Sequence, residues 1–178
     1  MNHSMESTAI RIAEVLKKYQ MPELWQYVIA SVTVDQGPVS PGMQWRNFPN
    51  QVKAAVITES FAGARLKVIL LPIGSGNSFN QEGKSSDIYR FTEEELTQYL
   101  KQTGDDNPLH AGTQAIVPGL LILSFLEKNS IQKTLTYFSV RFYSALLVNE
   151  NFVISQTETN QWEVRKSLND PVLTLKLG

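Results

Sequence analysis

The 178-residue chain has two histidines, His3 and His110. His110 closes the stretch TGDDNPLH, Thr103 to His110, which packs two acids, an Asn-Pro step and an imidazole into eight residues. A carboxylate and an imidazole that face one pocket can hold a water between them and divide acid and base roles. An Asn107-Pro108 corner can bring Asp105 and His110 together, because Pro108 restricts Asn107 to extended geometry. The same residues also read as an ordinary helix stop. Gly104 would then take a left-handed C′ conformation, and the Asp and Asn side chains would bond the backbone of the turn. That second reading has no need of His110 and leaves both acids at the negative end of a helix dipole. Residue types alone leave both readings open.

A second stretch, SFNQEGKS at Ser78–Ser85, nearly matches the phosphate-binding pattern G-x-x-x-x-G-K-[ST]. Ser78 replaces the first glycine, and the helix that must begin at the Lys-Ser step is expected only at Thr92. Without a helix N-terminus there is no row of free N–H groups for a phosphate, so the stretch reads as solvated linker. The chain has no cysteine, which excludes disulfides, thiolate metal sites and Cys nucleophiles. A formal net charge of −1 and the lack of a Lys/Arg run argue against nucleic-acid binding. The apolar run from Ala115 to Leu126 is interrupted by Pro118, Gly119 and Ser124, and falls short of the about 20 residues that span a bilayer. The N-terminal residues do not follow the secretory-signal pattern. A cytoplasmic protein without a membrane span is expected.

Elements must position these residues. Ile10, Ala13 and Leu16 form an apolar stripe that predicts a first helix. Pro22 ends it, and ELWQYVIASVTV predicts a helical turn running into a strand. DQGPVSPGMQWRNFPN, rich in Pro and Gly, predicts a long loop or an edge region. VKAAVITES and ARLKVILLPI predict antiparallel neighbours, and Gly74 to Asp87 reads as a linker. Thr92 and Glu95 form a capping box that starts a helix, and Gly104 stops it. VPGLLILSFLEK is apolar on all sides and predicts a buried helix with Pro118 at its first position. TLTYFSVRFY, NFVISQTE, QWEVRKSL and VLTLKL predict strands. A buried helix covered by a mostly antiparallel sheet is an α+β arrangement.

The segment YRFTEEELTQYLKQTGDDNPLH resembles the FTxEDxxxFAxLTGDxNPxH signature of the MaoC-like (R)-specific enoyl-thioester hydratases and dehydratases. IVPGLLILSFL resembles that family's central-helix segment, and RFYSALLVNENF resembles the strand segment that follows it. The resemblance implies a hot-dog fold, a long helix wrapped by a curved antiparallel sheet. By position it makes Asp105 and His110 the catalytic pair that activates water. It gives Asn107 the orientation of the turn and Gly119 a backbone N–H that meets the thioester oxygen. The substrate it implies is an acyl-CoA or acyl carrier protein thioester, handled without metal or redox cofactor by a homo-oligomer, a dimer or higher. Two departures stand out. Only AGTQAI and Val117 separate His110 from Pro118, a shorter segment than the family's, and Pro118 replaces the usual His. Lys133, Arg141, Arg165 and Lys166 are candidates for contact with substrate phosphates.

The resemblance covers about Ile88 to Val153, with the strands after it, and makes residues 88–178 the expected catalytic domain. Residues 1–87 are expected to be either a degenerate, non-catalytic hot-dog repeat, making a compact double hot-dog, or an N-terminal extension. In the fused form an acyl tunnel would run between the halves, lined by Trp25, Tyr27, Trp45 or Phe48.

Overall fold

Ser7 accepts a hydrogen bond from the Ile10 amide at 3.3 Å, an N-cap that satisfies an otherwise free helical donor. The helix it opens, α1 (Thr8–Leu16), buries Ile10, Ile12 and Ala13. The computed structural model describes residues 7–73, 87–132, 134–167 and 170–178. His3, the Ser78–Ser85 stretch, nearly all of the linker and Lys133 lie outside the described residues.

A helical turn at Pro22–Leu24 leads into strand β1 (Tyr27–Asp35), followed by β2 (Gly42–Asn47), β3 (Lys53–Phe61) and β4 (Ala64–Pro72). The second half holds β5 (Ile88–Tyr89), α2 (Glu93–Thr103), α3 (Gly119–Leu126), β6 (Phe138–Phe142), β7 (Phe152–Glu158), β8 (Gln161–Ser167) and β9 (Asp170–Leu177). The described strands form one nine-stranded sheet in the order β2-β3-β4-β1-β6-β9-β8-β7-β5. Every pairing is antiparallel. The Pro- and Gly-rich stretch resolves into β2, an edge strand, where prolines at the strand's flanks do not interrupt a ladder. At the centre Val32 of β1 faces Val140 of β6, both with 0% exposure.

α3 buries Leu120, Ile122, Leu123 and Leu126 against this sheet and α1. Each such side chain contributes about 1.5–3 kcal/mol when fully withdrawn from water. Pro118 is the N-cap, not the first helical residue. Its ψ of 133° is extended, and its carbonyl accepts the amides of Leu121 and Ile122 at 2.9 and 3.3 Å. The helix continues through a π turn at Glu127–Ile131. There the buried Glu127 carboxylate accepts the Thr8 hydroxyl at 2.6 Å and the Leu135 amide at 3.3 Å. With Ser7 bonded to Ser124 at 2.9 Å, the start of α1 is fixed at the end of α3. The far end of α1 therefore lies beside the start of α3.

Candidate active site

The capping box has both its bonds, Thr92 N to Glu95 Oε2 at 2.8 Å and Glu95 N to Thr92 Oγ1 at 3.2 Å. It fixes where α2 starts and therefore where it stops. Gly104 ends the helix in the left-handed region, φ 65° and ψ 28°, with its amide bonded to the Leu100 carbonyl at 2.8 Å. Glycine, with no Cβ, adopts this conformation at no steric cost. The space a side chain would need there is also filled, by the ammonium of Lys17, the residue that follows α1. The chain turns, and two side chains fold back onto backbone: Asp105 Oδ1 accepts the Asn107 amide and Asn107 Oδ1 accepts the Leu109 amide, both at 3.1 Å. Pro108–His110 forms a single 3-10 turn.

The short segment after His110 forms a clip. Ile116 donates to Leu109 at 2.8 Å, Val117 donates to Leu146 at 2.8 Å, and Val148 donates to Ala115 at 2.9 Å. The clip brings the Ile116 carbonyl to 2.6 Å from His110 Nδ1. A carbonyl only accepts, so Nδ1 carries a proton, and in the neutral ring Nε2 keeps its lone pair. Nε2 stands 3.6 Å from Asp105 Oδ2, and the two side chains are 10% and 21% exposed. That separation is too long for a direct hydrogen bond and leaves both atoms within reach of one shared water.

Both side chains line a cavity of about 530 Å³. Its lining combines Asp105, Asn107 and His110 with apolar side chains that include Leu16, Ile57, Leu70 and Ile122. Trp25 and Ile73 line it while remaining 36% and 42% exposed, which marks the mouth. Gly119, also in the lining, is the first residue of α3, where amides have no intrahelical acceptor. The dipole of the helix adds partial positive charge at that point. Among the described residues no group of three or more potential metal ligands occurs, and no helix is long and apolar enough to cross a membrane.

Of the sequence candidates, Asp105, Asn107, His110 and Gly119 come together in one cavity. Asp106 lines it too but is exposed. Trp25 and Tyr27 are in the lining, whereas Trp45 and Phe48 are not; Trp45 packs edge-on against Tyr27 with ring centroids 5.6 Å apart. Arg165 is unsuited to meeting a phosphate, being 3% exposed with Nε 2.9 Å from buried Glu163. Lys166 is engaged with the Ala145 carbonyl at 3.0 Å and Asp170 at 3.3 Å. Sequence reasoning passed over Tyr19 and Tyr99, which also line the cavity. Tyr99 sits in the apolar stripe of α2, and nothing in its spacing separates it from a core residue.

No protein-family model and no curated protein matches the chain. Solved structures do. One crystal structure of HtdX from Mycobacterium tuberculosis superposes with a TM-score of 0.64 at 14% identity, covering 96% of this chain and 85% of that one. Another crystal structure of HtdX gives a TM-score of 0.59 at 16% identity, covering 85% and 76%. At these identities the likeness is one of backbone. The chain has the hot-dog fold.

Proposed function

We propose that this protein is a hydro-lyase that adds water to enoyl thioesters and removes it from (R)-3-hydroxyacyl thioesters of coenzyme A or acyl carrier protein. The observation that carries this reading is the 3.6 Å gap between His110 Nε2 and Asp105 Oδ2 in the lining of a mostly apolar cavity. In the hydration direction one member of the pair takes a proton from the shared water as its oxygen bonds to C3. The C2–C3 π electrons move onto the thioester as an enolate, and the protonated member delivers its proton to C2. The Gly119 N–H meets the oxygen where that charge develops, a donor worth about 3 kcal/mol of barrier. The cavity has room for an acyl chain despite the short segment after His110, which weighs against a purely structural role for the turn.

The reading includes residues 1–87 as a second, non-catalytic hot-dog repeat. Strand order β1-β4-β3-β2 in the first half parallels β6-β9-β8-β7 in the second, and the two sets meet at β1–β6. In each half a helix, α1 or α3, precedes these four strands.

Crotonyl-thioester hydration by the wild type, Asp105→Asn and His110→Ala provides the test. Each substitution is expected to lower kcat by about 10²–10⁴-fold. Undiminished hydration in both variants overturns the reading, as does a wild type that only cleaves the thioester.

A further inference from the structure

The sheet parts at one end of the junction between its halves. β1 and β6 pair from Val34–Phe138 to Ser31–Arg141. Past Arg141 the chain stays with β9. Phe142 faces Leu173, the Tyr143 amide donates to the Val172 carbonyl at 2.9 Å, and the Ser144 hydroxyl donates to the Pro171 carbonyl at 2.8 Å. Before Ser31, β1 stays with β4. Ile29 faces Leu70 and Ser31 faces Ile69, so Ala30 is the extra residue of a bulge, a feature that bends a strand and ends pairing. The two chains therefore diverge into a slot, closed at the Ser31–Arg141 rung and running toward Trp25 and Ile73. Successive strand residues point to opposite faces, yet residues 27–30 and residues 142–146 all line the cavity. A cavity touches both faces of a strand only along an edge that no neighbouring strand covers. The slot is thus a passage through the sheet.

Its two sides differ in chemistry. On the inner side the Phe142 ring lies against Gly119. On the outer side the Arg141 guanidinium lies over the Tyr143 ring, 5.5 Å from its centroid. Arg141 is exposed and follows the fully buried Val140, which places it on the outer face. The acid in its cross-strand row, Glu163, is two strands away across Thr174 and is taken by Arg165 at 2.9 Å. An occupant of the slot must be thin and extended, must hydrogen-bond backbone groups along its length, and gains from an anion at its outer end. We propose that the slot takes the phosphopantetheine arm of the thioester, its amides along the edges of β1 and of residues 142–145, its phosphate on Arg141. Coenzyme A and acyl carrier protein both carry that arm, and the inference rests on the thioester reading of the cavity.

Arg141→Gln removes the charge and keeps a polar side chain at an exposed position. It is expected to lower kcat/KM for crotonyl-phosphopantetheine about tenfold more than for crotonyl-pantetheine, which lacks the phosphate; that is the scale of one lost hydrogen bond between charged groups. Equal effects on the two substrates overturn the proposal. The same loss is expected with crotonyl-CoA and with crotonyl acyl carrier protein. A loss with crotonyl-CoA alone would put Arg141 on the nucleotide phosphates and overturn its assignment to the shared arm. Ala30→Phe, which fills the slot, is expected to lower kcat/KM for all of these substrates, and wild-type values in a folded variant overturn the passage. One measurement needs no turnover: butyryl-CoA has no double bond to hydrate, and calorimetry should show it binding Arg141→Gln about tenfold more weakly than the wild type. That result with a wild type that hydrates nothing sinks the hydratase reading and supports the slot; equal binding to both proteins overturns the slot whatever the activity.

Discussion

A methyl group on Gly119 would stand 2.7 Å from Cε1 and 2.8 Å from Cζ of Phe142, closer than any relaxed contact. Glycine is thus required for packing where the proposed oxyanion donor sits, and the two demands fall on the same atom group. Gly119→Ala must displace the Phe142 ring, which itself lines the cavity, at a cost of about 1–3 kcal/mol. Chemical denaturation should show that loss, and crotonyl hydration should fall more than tenfold because the N–H and the wall opposite it both move. An alanine variant with wild-type stability and rate would mean that neither demand holds. At this scale the sequence was informative where the backbone dictates geometry. Gly104, Asn107 and Pro108 each restrict the turn locally, so the helix stop could be read from residue types, whereas the pairing of Asp105 with His110 was chosen over a plain turn by the resemblance to the hydratase signature. Tyr99, by contrast, owes its place in the site to how α2 seats on the rest of the molecule. Glu163 and Arg165 alternate with Trp162 and Val164 and so read as surface charges, yet they are 2% and 3% exposed. Mutual pairing offsets part of their desolvation, and alternation carries no trace of it.

The 3-10 turn that follows α1, Lys17–Tyr19, docks on β3 through one carboxylate. Glu59, 7% exposed, accepts the Tyr19 hydroxyl and lies 2.7 Å from the Lys18 ammonium. Burial pushes its pKa up, but the two donors outweigh burial and hold it below the ordinary value. Burial and the same contact push Tyr19 from 10.0 up to about 12. The signs follow by linkage. A carboxyl with a depressed folded pKa contributes stability above its unfolded pKa and loses it as pH falls through the folded value. A phenol with a raised folded pKa contributes fully below about 10 and loses its contribution as pH rises through about 12. Tyr19→Phe is therefore expected to cost about 1–3 kcal/mol at neutral pH, with the gap to wild type narrowing as pH falls below the usual carboxylate range. Urea denaturation between neutral pH and pH 3 measures it, and a gap independent of pH would show that the contact does not act through ionisation. Element types were legible here: the α1 stripe, the capping box of α2 and the runs of β6 to β9 all use local signals. The π turn at Glu127–Ile131 was not, because Thr8 and Leu135, far apart in sequence, hold the Glu127 carboxylate that shapes it.

Strand order belongs to the whole molecule, and no local pattern encodes that β1 pairs with β6 across the linker and two helices. That single pairing makes one sheet of both halves and sets the cavity at their seam. Ala13, Leu16 and Ile57 approach from the first half, Val117, Leu120 and Phe142 from the second. The chemistry proposed for the second half thus has an acyl wall built by the first, through α1 in particular. Ala13 is 8% exposed and faces the cavity from the middle of α1. Ala13→Leu suits a helix nearly as well as alanine and places three further carbons in open space, so the fold should hold. Depth available to the acyl tail falls, while Asp105, His110 and Gly119 are untouched. Crotonyl thioester should be hydrated at close to the wild-type rate, and octenoyl thioester should lose kcat/KM selectively. If both substrates respond equally, or neither responds, the tail does not lie against α1, and the first half serves the second only as a support for β6.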